Sequence, residues 1–234
     1  ESVPVYLQTK YDVRTTRLYS YAWIVYGFLY IPIQLKTVSS IIQIVLPGLN
    51  LMVAMFIGVT IAVIYTSFSG MKGASAVGRV VCIGIYVLLI CFVFTTLPKF
   101  GGFSGLLGEL PEKYDSMGNM PTQRIVAWIV GGCISTAVMQ AVLQPLLSAK
   151  SPEAARVGSI LGYVIAAPIC FFTAICGMLS KASGADLGDG STAFAYAIKT
   201  FSSPVFAGII FAFATMIIAA TMATMMLAPG TIIT

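Results

Sequence analysis

The sequence predicts an all-α fold, a polytopic bundle of membrane-crossing helices, and three observations carry that prediction. Hydrophobic residues make up 58% of the 234-residue chain and charged residues only 9%, with a mean hydropathy of +0.95. A water-soluble domain cannot cover its surface from such a composition. Six apolar stretches, residues 18–46, 49–67, 76–97, 125–143, 157–179 and 205–228, approach or exceed the length of about 20 residues that a bilayer-crossing helix needs. These stretches also lack the alternation of a membrane barrel, and open sheets cannot cross lipid, so the helix is the spanning element.

Before the first span, VPVYLQTKY has apolar and polar residues at helical spacing and reads as a short helix lying on the membrane surface. The first span contains Pro32, expected to kink it, and Lys36, placed near a helix end where its ammonium can snorkel to the interface. YTSFSGMKGASAVGRV, residues 65–80, leaves one apolar run and starts the next, and its glycines, serines and cations predict a tight turn. Gly102–Leu110 and Ser191–Phe201 predict two further interfacial helices between spans. Gly131-Gly132 and Pro145 in the fourth span, Pro168 in the fifth and Pro229-Gly230 at the end of the sixth are helix breakers. Such residues are common in membrane helices, and in transporters broken helices line the path of the solute.

Charge sets the orientation. The N-terminal arm and the second and fourth connections share a side and carry Lys10, Arg14, Arg17, Lys72, Arg79, Lys150 and Arg156. The opposite side carries Lys99, Lys113, Arg124, Lys181 and Lys199. Seven cations against five place the N-terminal arm in the cytoplasm, with the chain in a bacterial inner membrane or a plasma membrane. The formal charge of +5 is thus a matter of topology, and its cations form no aromatic-interleaved stripe for nucleic acid. Cys82, Cys91, Cys133, Cys170 and Cys176 all lie in apolar runs as small hydrophobes. With no histidine, no carboxylate inside a span and no serine or cysteine beside a base, neither an enzyme nor a haem, zinc or di-iron centre is expected. The chain starts at Glu1 and stops inside an apolar run, and it reads as a piece of a longer protein.

Four segments resemble, in order, those of the sodium:solute symporter family. SVPVYLQTKYD is similar to that family's SVPEYL followed by a basic residue and Tyr, and YTSFSGMKG to its YT-x-FGGMKA turn. AKSPEAARVGS resembles its AKS-x-x-EAR-x-GS turn, and GIIFAFATMIIAATMATMMLAPGTIIT its late small-residue helix, which leads to a pair of hydroxyl residues. The resemblance implies part of a five-plus-five inverted-repeat, leucine-transporter-like fold, with the six spans as core helices three to eight and helices one, two, nine and ten outside this chain. Its implied activity is secondary active transport of a small organic solute driven by sodium, by alternating access around a midplane site. The family usually continues the turn with Trp-Thr-Asp, where this chain has Ala76, Val77 and Gly78, so one carboxylate is missing. The alternative is a symporter-like module without transport that serves as a sensor or scaffold.

The same alignment places the family's hydroxyl pair on Ala220 and Thr221, which makes Thr221, Ala220 and the carbonyl of Ile217 the implied sodium ligands, half of a site whose other half belongs to core helix one. Sodium prefers oxygen ligands, which hydroxyls and carbonyls supply. A membrane threonine also commonly bonds back to its own preceding turn. In the fourth span Gly132, Ser135, Thr136 and Gln140 fall on one helical face, a polar stripe suited to a solute cavity or to close helix packing. The resemblance offers small side chains at Gly132 and Ser135 where sugar-transporting members have larger ones, which does not support a sugar.

Overall fold

A computed structural model describes the whole chain except residues 1–2, 112–113, 115–119, 148, 188–189 and 234. It leaves aside the side chains of residues 66, 68–77, 137, 140–141, 144–145 and 227–233. The described residues are helical, with no strand: α1 (Val3–Lys10), α2 (Val13–Val45), α3 (Leu51–Thr96), a 3-10 turn (Leu97–Phe100), α4 (Gly102–Gly108), α5 (Thr122–Val138), α6 (Gln140–Leu147), α7 (Pro152–Ala182), α8 (Ala193–Phe201) and α9 (Pro204–Ile233). Four of the described stretches are long and apolar enough to cross a membrane, Val13–Val45, Gly78–Phe100, Pro152–Ala182 and Pro204–Met226, and Leu51–Tyr65 is a shorter apolar helix. The chain is an integral membrane protein of the helical type.

The predicted turn over residues 65–80 is not formed. The helix runs without interruption from Leu51 to Thr96. No proline falls in these 46 residues, and a glycine inside a helix costs only about 1 kcal/mol, which weakens a helix without ending it. At 1.5 Å per residue α3 is roughly 70 Å long, well beyond the ~45 Å of a bilayer with its headgroups. Short helices do form at the three predicted interfacial segments, as α1, α4 and α8.

By contacts the chain divides into two compact units. The first comprises residues 1–32, 117–166 and 224–234, with α1, α5 and α6. Here α1 lies against α6, with Val3 buried. Asp12 caps the start of α2 by accepting the Thr15 backbone N–H at 2.8 Å. The Thr15 side chain and this N–H hold the Asp12 carboxyl below the ordinary aspartate range, so the cap is present at neutral pH and is lost as pH falls through that lowered value.

The second unit comprises residues 33–116 and 167–223. The turn between α2 and α3 places Pro47 and Gly48 at its centre, closed by Leu49 N–H donating to the Leu46 carbonyl at 3.3 Å. Gly48 has φ +94°, the conformation that the third position of a type II turn demands. Gln43 Nε2 braces the turn on the Leu49 carbonyl at 3.1 Å, and Asn50 caps α3 by accepting the Met52 N–H at 2.9 Å. Ala54, Gly58 and Ala62 then present small residues every fourth position, and a Cβ on Gly58 would come within 3.0 Å of Val38 Cγ1. In lipid such close approach supplies van der Waals contact, since lipid tails are as apolar as the side chains.

The core of this unit packs Leu89 and Phe92 of α3, Leu106 of α4, Ile175 and Leu179 of α7, Ile198 of α8 and Ile210 of α9. Because Leu106 and Ile198 are fully buried, α4 and α8 are core elements here. Ser180 Oγ ties α7 to the start of α8 by donating to the Ala193 carbonyl at 2.7 Å, and Lys199 Nζ donates to the Ile44 carbonyl at 2.8 Å. Gly84 lies beneath the ring of Phe213, and Gly105 against the carbonyl oxygen of Phe100. Because the Gly105 neighbour is backbone, a Cβ there has nowhere to go. Gly105→Ala is expected to cost about 2 kcal/mol or more, read as a fall of several degrees in the melting temperature of the detergent-solubilised protein, whereas Gly108→Ala, with open space around it, is expected to leave it unchanged.

Candidate functional site

Helix α5 passes through Gly131-Gly132 unbroken and stops at Val138; Met139 is extended, with φ −69° and ψ 117°, before α6 begins. The break therefore sits seven residues beyond the predicted glycines. Past it, the N–H groups of Val142 and Leu143 both turn to the Met139 carbonyl, at 3.0 and 2.9 Å. Into this gap reaches Tyr19 of α2, whose hydroxyl donates to the Val138 carbonyl at 3.1 Å. A carbonyl at the end of a helix has no partner in the next turn, and the phenol provides a donor. Tyr19 begins a file of rings on α2, with Trp23 6.0 Å away, Tyr26 4.8 Å beyond it in edge contact, and Tyr30 stacked at 5.5 Å.

Beside the break, within the same unit, lies an open groove of about 500 Å³. Gly132, Cys133 and Thr136 come from α5, and Val142, Leu143 and Leu146 from α6. The far wall is Ser159 and Tyr163, one turn apart on α7. No charged side chain lines it among the described residues. Thr136 Oγ1 donates to the Gly132 carbonyl at 2.7 Å, and Ser159 Oγ to the Ala155 carbonyl at 2.7 Å.

Of the predicted polar stripe, Gly132 and Thr136 thus line the groove. Ser135 does not; it is exposed, and its hydroxyl donates to the Gly132 carbonyl at 3.1 Å. The side chain of Gln140 lies outside the described residues. Ile217, Ala220 and Thr221 occupy one turn of α9 in the second unit, all half-buried, and Thr221 Oγ1 donates to the Ile217 carbonyl at 3.0 Å. Two of the three implied sodium ligands are thereby adjacent oxygens on one helix turn, joined by a back-bond common in membrane threonines. Ala220 brings no side-chain oxygen.

Sequence reasoning passed over Tyr19, Ser159 and Tyr163. Ser159 and Tyr163 stand four apart in an apolar stretch, a spacing that places both on one helical face. Tyr19 carried no such signal, since its partner is 119 residues away. The second unit holds another hollow of about 460 Å³ between the end of α7 and the start of α8, edged by Lys181 and Asp186. It contains none of the predicted site residues.

Comparison of the chain with protein-family models, with curated proteins and with solved structures gave no match. Tyr19→Phe removes the donor to Val138 and is expected to loosen the break: amide exchange at residues 139–143 should rise about fivefold, the equivalent of one hydrogen bond of ~1 kcal/mol, while exchange in α9 stays unchanged.

Proposed function

We propose that this chain is part of a secondary active transporter that moves a small organic solute across a lipid bilayer, coupled to sodium, by alternating access around a midplane site. The observation that carries the reading is the break between α5 and α6 beside an uncharged groove. Irregular backbone in a membrane helix is sustained where protein or a water-filled cavity satisfies it, and discontinuous helices are how transporters build solute sites. The four-segment resemblance to sodium:solute symporters supports the same reading and assigns the adjacent oxygens of Thr221 and Ile217 to sodium, as one half of that family's site. In this reading the inverted repeat is the fold, and the membrane is a bacterial inner membrane or a plasma membrane.

A second reading, a module that has kept the architecture and lost ion coupling, is favoured by Ala220 and Gly78, neither of which offers the oxygen the family has there. Sodium-driven uptake by proteoliposomes carrying the intact protein separates the two. Transport predicts uptake that requires an inward sodium gradient, with Thr221→Ala raising the sodium concentration for half-maximal uptake about tenfold, the loss of one ligand at ~1.4 kcal/mol. No accumulation of any solute under a sodium gradient would leave the sensor or scaffold.

A further inference from the structure

The hydroxyls of the groove beside the α5–α6 break decide which chemistry it can hold. Thr136 and Ser159 each own a single proton, and each spends it on its own helix, on the Gly132 and Ala155 carbonyls at 2.7 Å. What they turn outward is lone pairs. The Gly132 carbonyl already receives Ser135 as well as Thr136. The groove wall between Thr136 and Ser159 is therefore acceptor-rich, and Tyr163 adds a phenol able to donate or accept. The other described residues of the lining are Gly132, Cys133, Val142, Leu143 and Leu146, a bed for an aliphatic body.

With no cation among the described residues that line the groove, a carboxylate or phosphate would meet lone pairs and lose its hydration without a partner; with no carboxylate among them, an ammonium would lose its hydration without a counter-charge. We infer that the groove takes an uncharged solute with a short aliphatic body and an amide or hydroxyl head, its N–H or O–H donated to Thr136 and Ser159 and its own acceptor facing Tyr163. This deepens the transporter reading by naming its substrate class and rests on that reading for the link to transport, but binding is testable without it.

Cys133 lines the groove and is exposed, whereas Cys91 and Cys170 are exposed elsewhere. Their maleimide labelling rates, resolved by mass spectrometry on the intact protein in nanodiscs, report occupancy. Three probes of similar shape are compared: isovaleramide, isovalerate and isopentylammonium. Isovaleramide is expected to slow labelling of Cys133 several-fold and leave Cys91 and Cys170 unchanged; the two ions are expected to have no effect, and Thr136→Val to abolish the protection. Equal protection by all three probes, protection by isovalerate alone, protection that survives both Thr136→Val and Ser159→Ala, or none at all, would overturn the inference. Sodium-driven uptake without protection by isovaleramide sinks the groove assignment while sparing transport, and protection without any uptake upholds the assignment and sinks transport.

Discussion

In hydrocarbon every backbone N–H and C=O must find a partner within the protein, and this constraint shapes the rest of the molecule. It explains why the described residues form helices and no strand. It also explains why the hydroxyls inside them, such as Thr37, Thr60, Ser159 and Thr221, donate to carbonyls three or four residues back. The same constraint makes the break beside the groove informative: where α5 stops at Val138, a tyrosine from α2 supplies a donor. Chemistry collects where the ladder of helical bonds is interrupted.

The interruption and the groove are two faces of one arrangement. The extended Met139 between the helices re-aims the chain so that α6 presents Val142, Leu143 and Leu146 toward the residues of α5 and α7 that form the other walls. Hydroxyls that back-bond serve structure and recognition together, because donating inward leaves them as acceptors outward. The polarity of the site is then fixed by helix geometry before any ligand arrives. On the inference above, a groove built this way favours donors over ions, whereas the hollow in the second unit is edged by the charged Lys181 and Asp186.

Much of the architecture was legible because length and apolarity are local properties. The runs around α2, α7 and α9 could be read directly, and amphipathic spacing marked α1, α4 and α8. Two features were misread for opposite reasons. Over residues 65–80, glycine and serine suggested a turn, yet the absence of proline let α3 continue. At the break, Val138-Met139-Gln140 contains neither glycine nor proline; of the predicted breakers, Gly131-Gly132 are absorbed by α5, and Pro145 lies inside α6, six residues past Met139. Thr136 and Gly132 were found because a polar stripe repeats on one face; Ser135, close to that face, back-bonds outside the groove. Tyr19, Ser159 and Tyr163 became visible only when the fold brought distant segments together.

The central claim is that the α5–α6 break opens onto water within the membrane. Cysteine scanning of residues 128–147 in lipid nanodiscs with a membrane-impermeant thiosulfonate tests it most directly. The account predicts reactivity at positions 132, 133, 136, 142, 143 and 146, the groove wall, with silence at Ile134, which is exposed and lies off the helical face of Gly132, Cys133 and Thr136. Reaction confined to the two ends of the segment, with positions 132 to 143 all silent, would mean that the break is sealed in lipid or protein and that no solute reaches it.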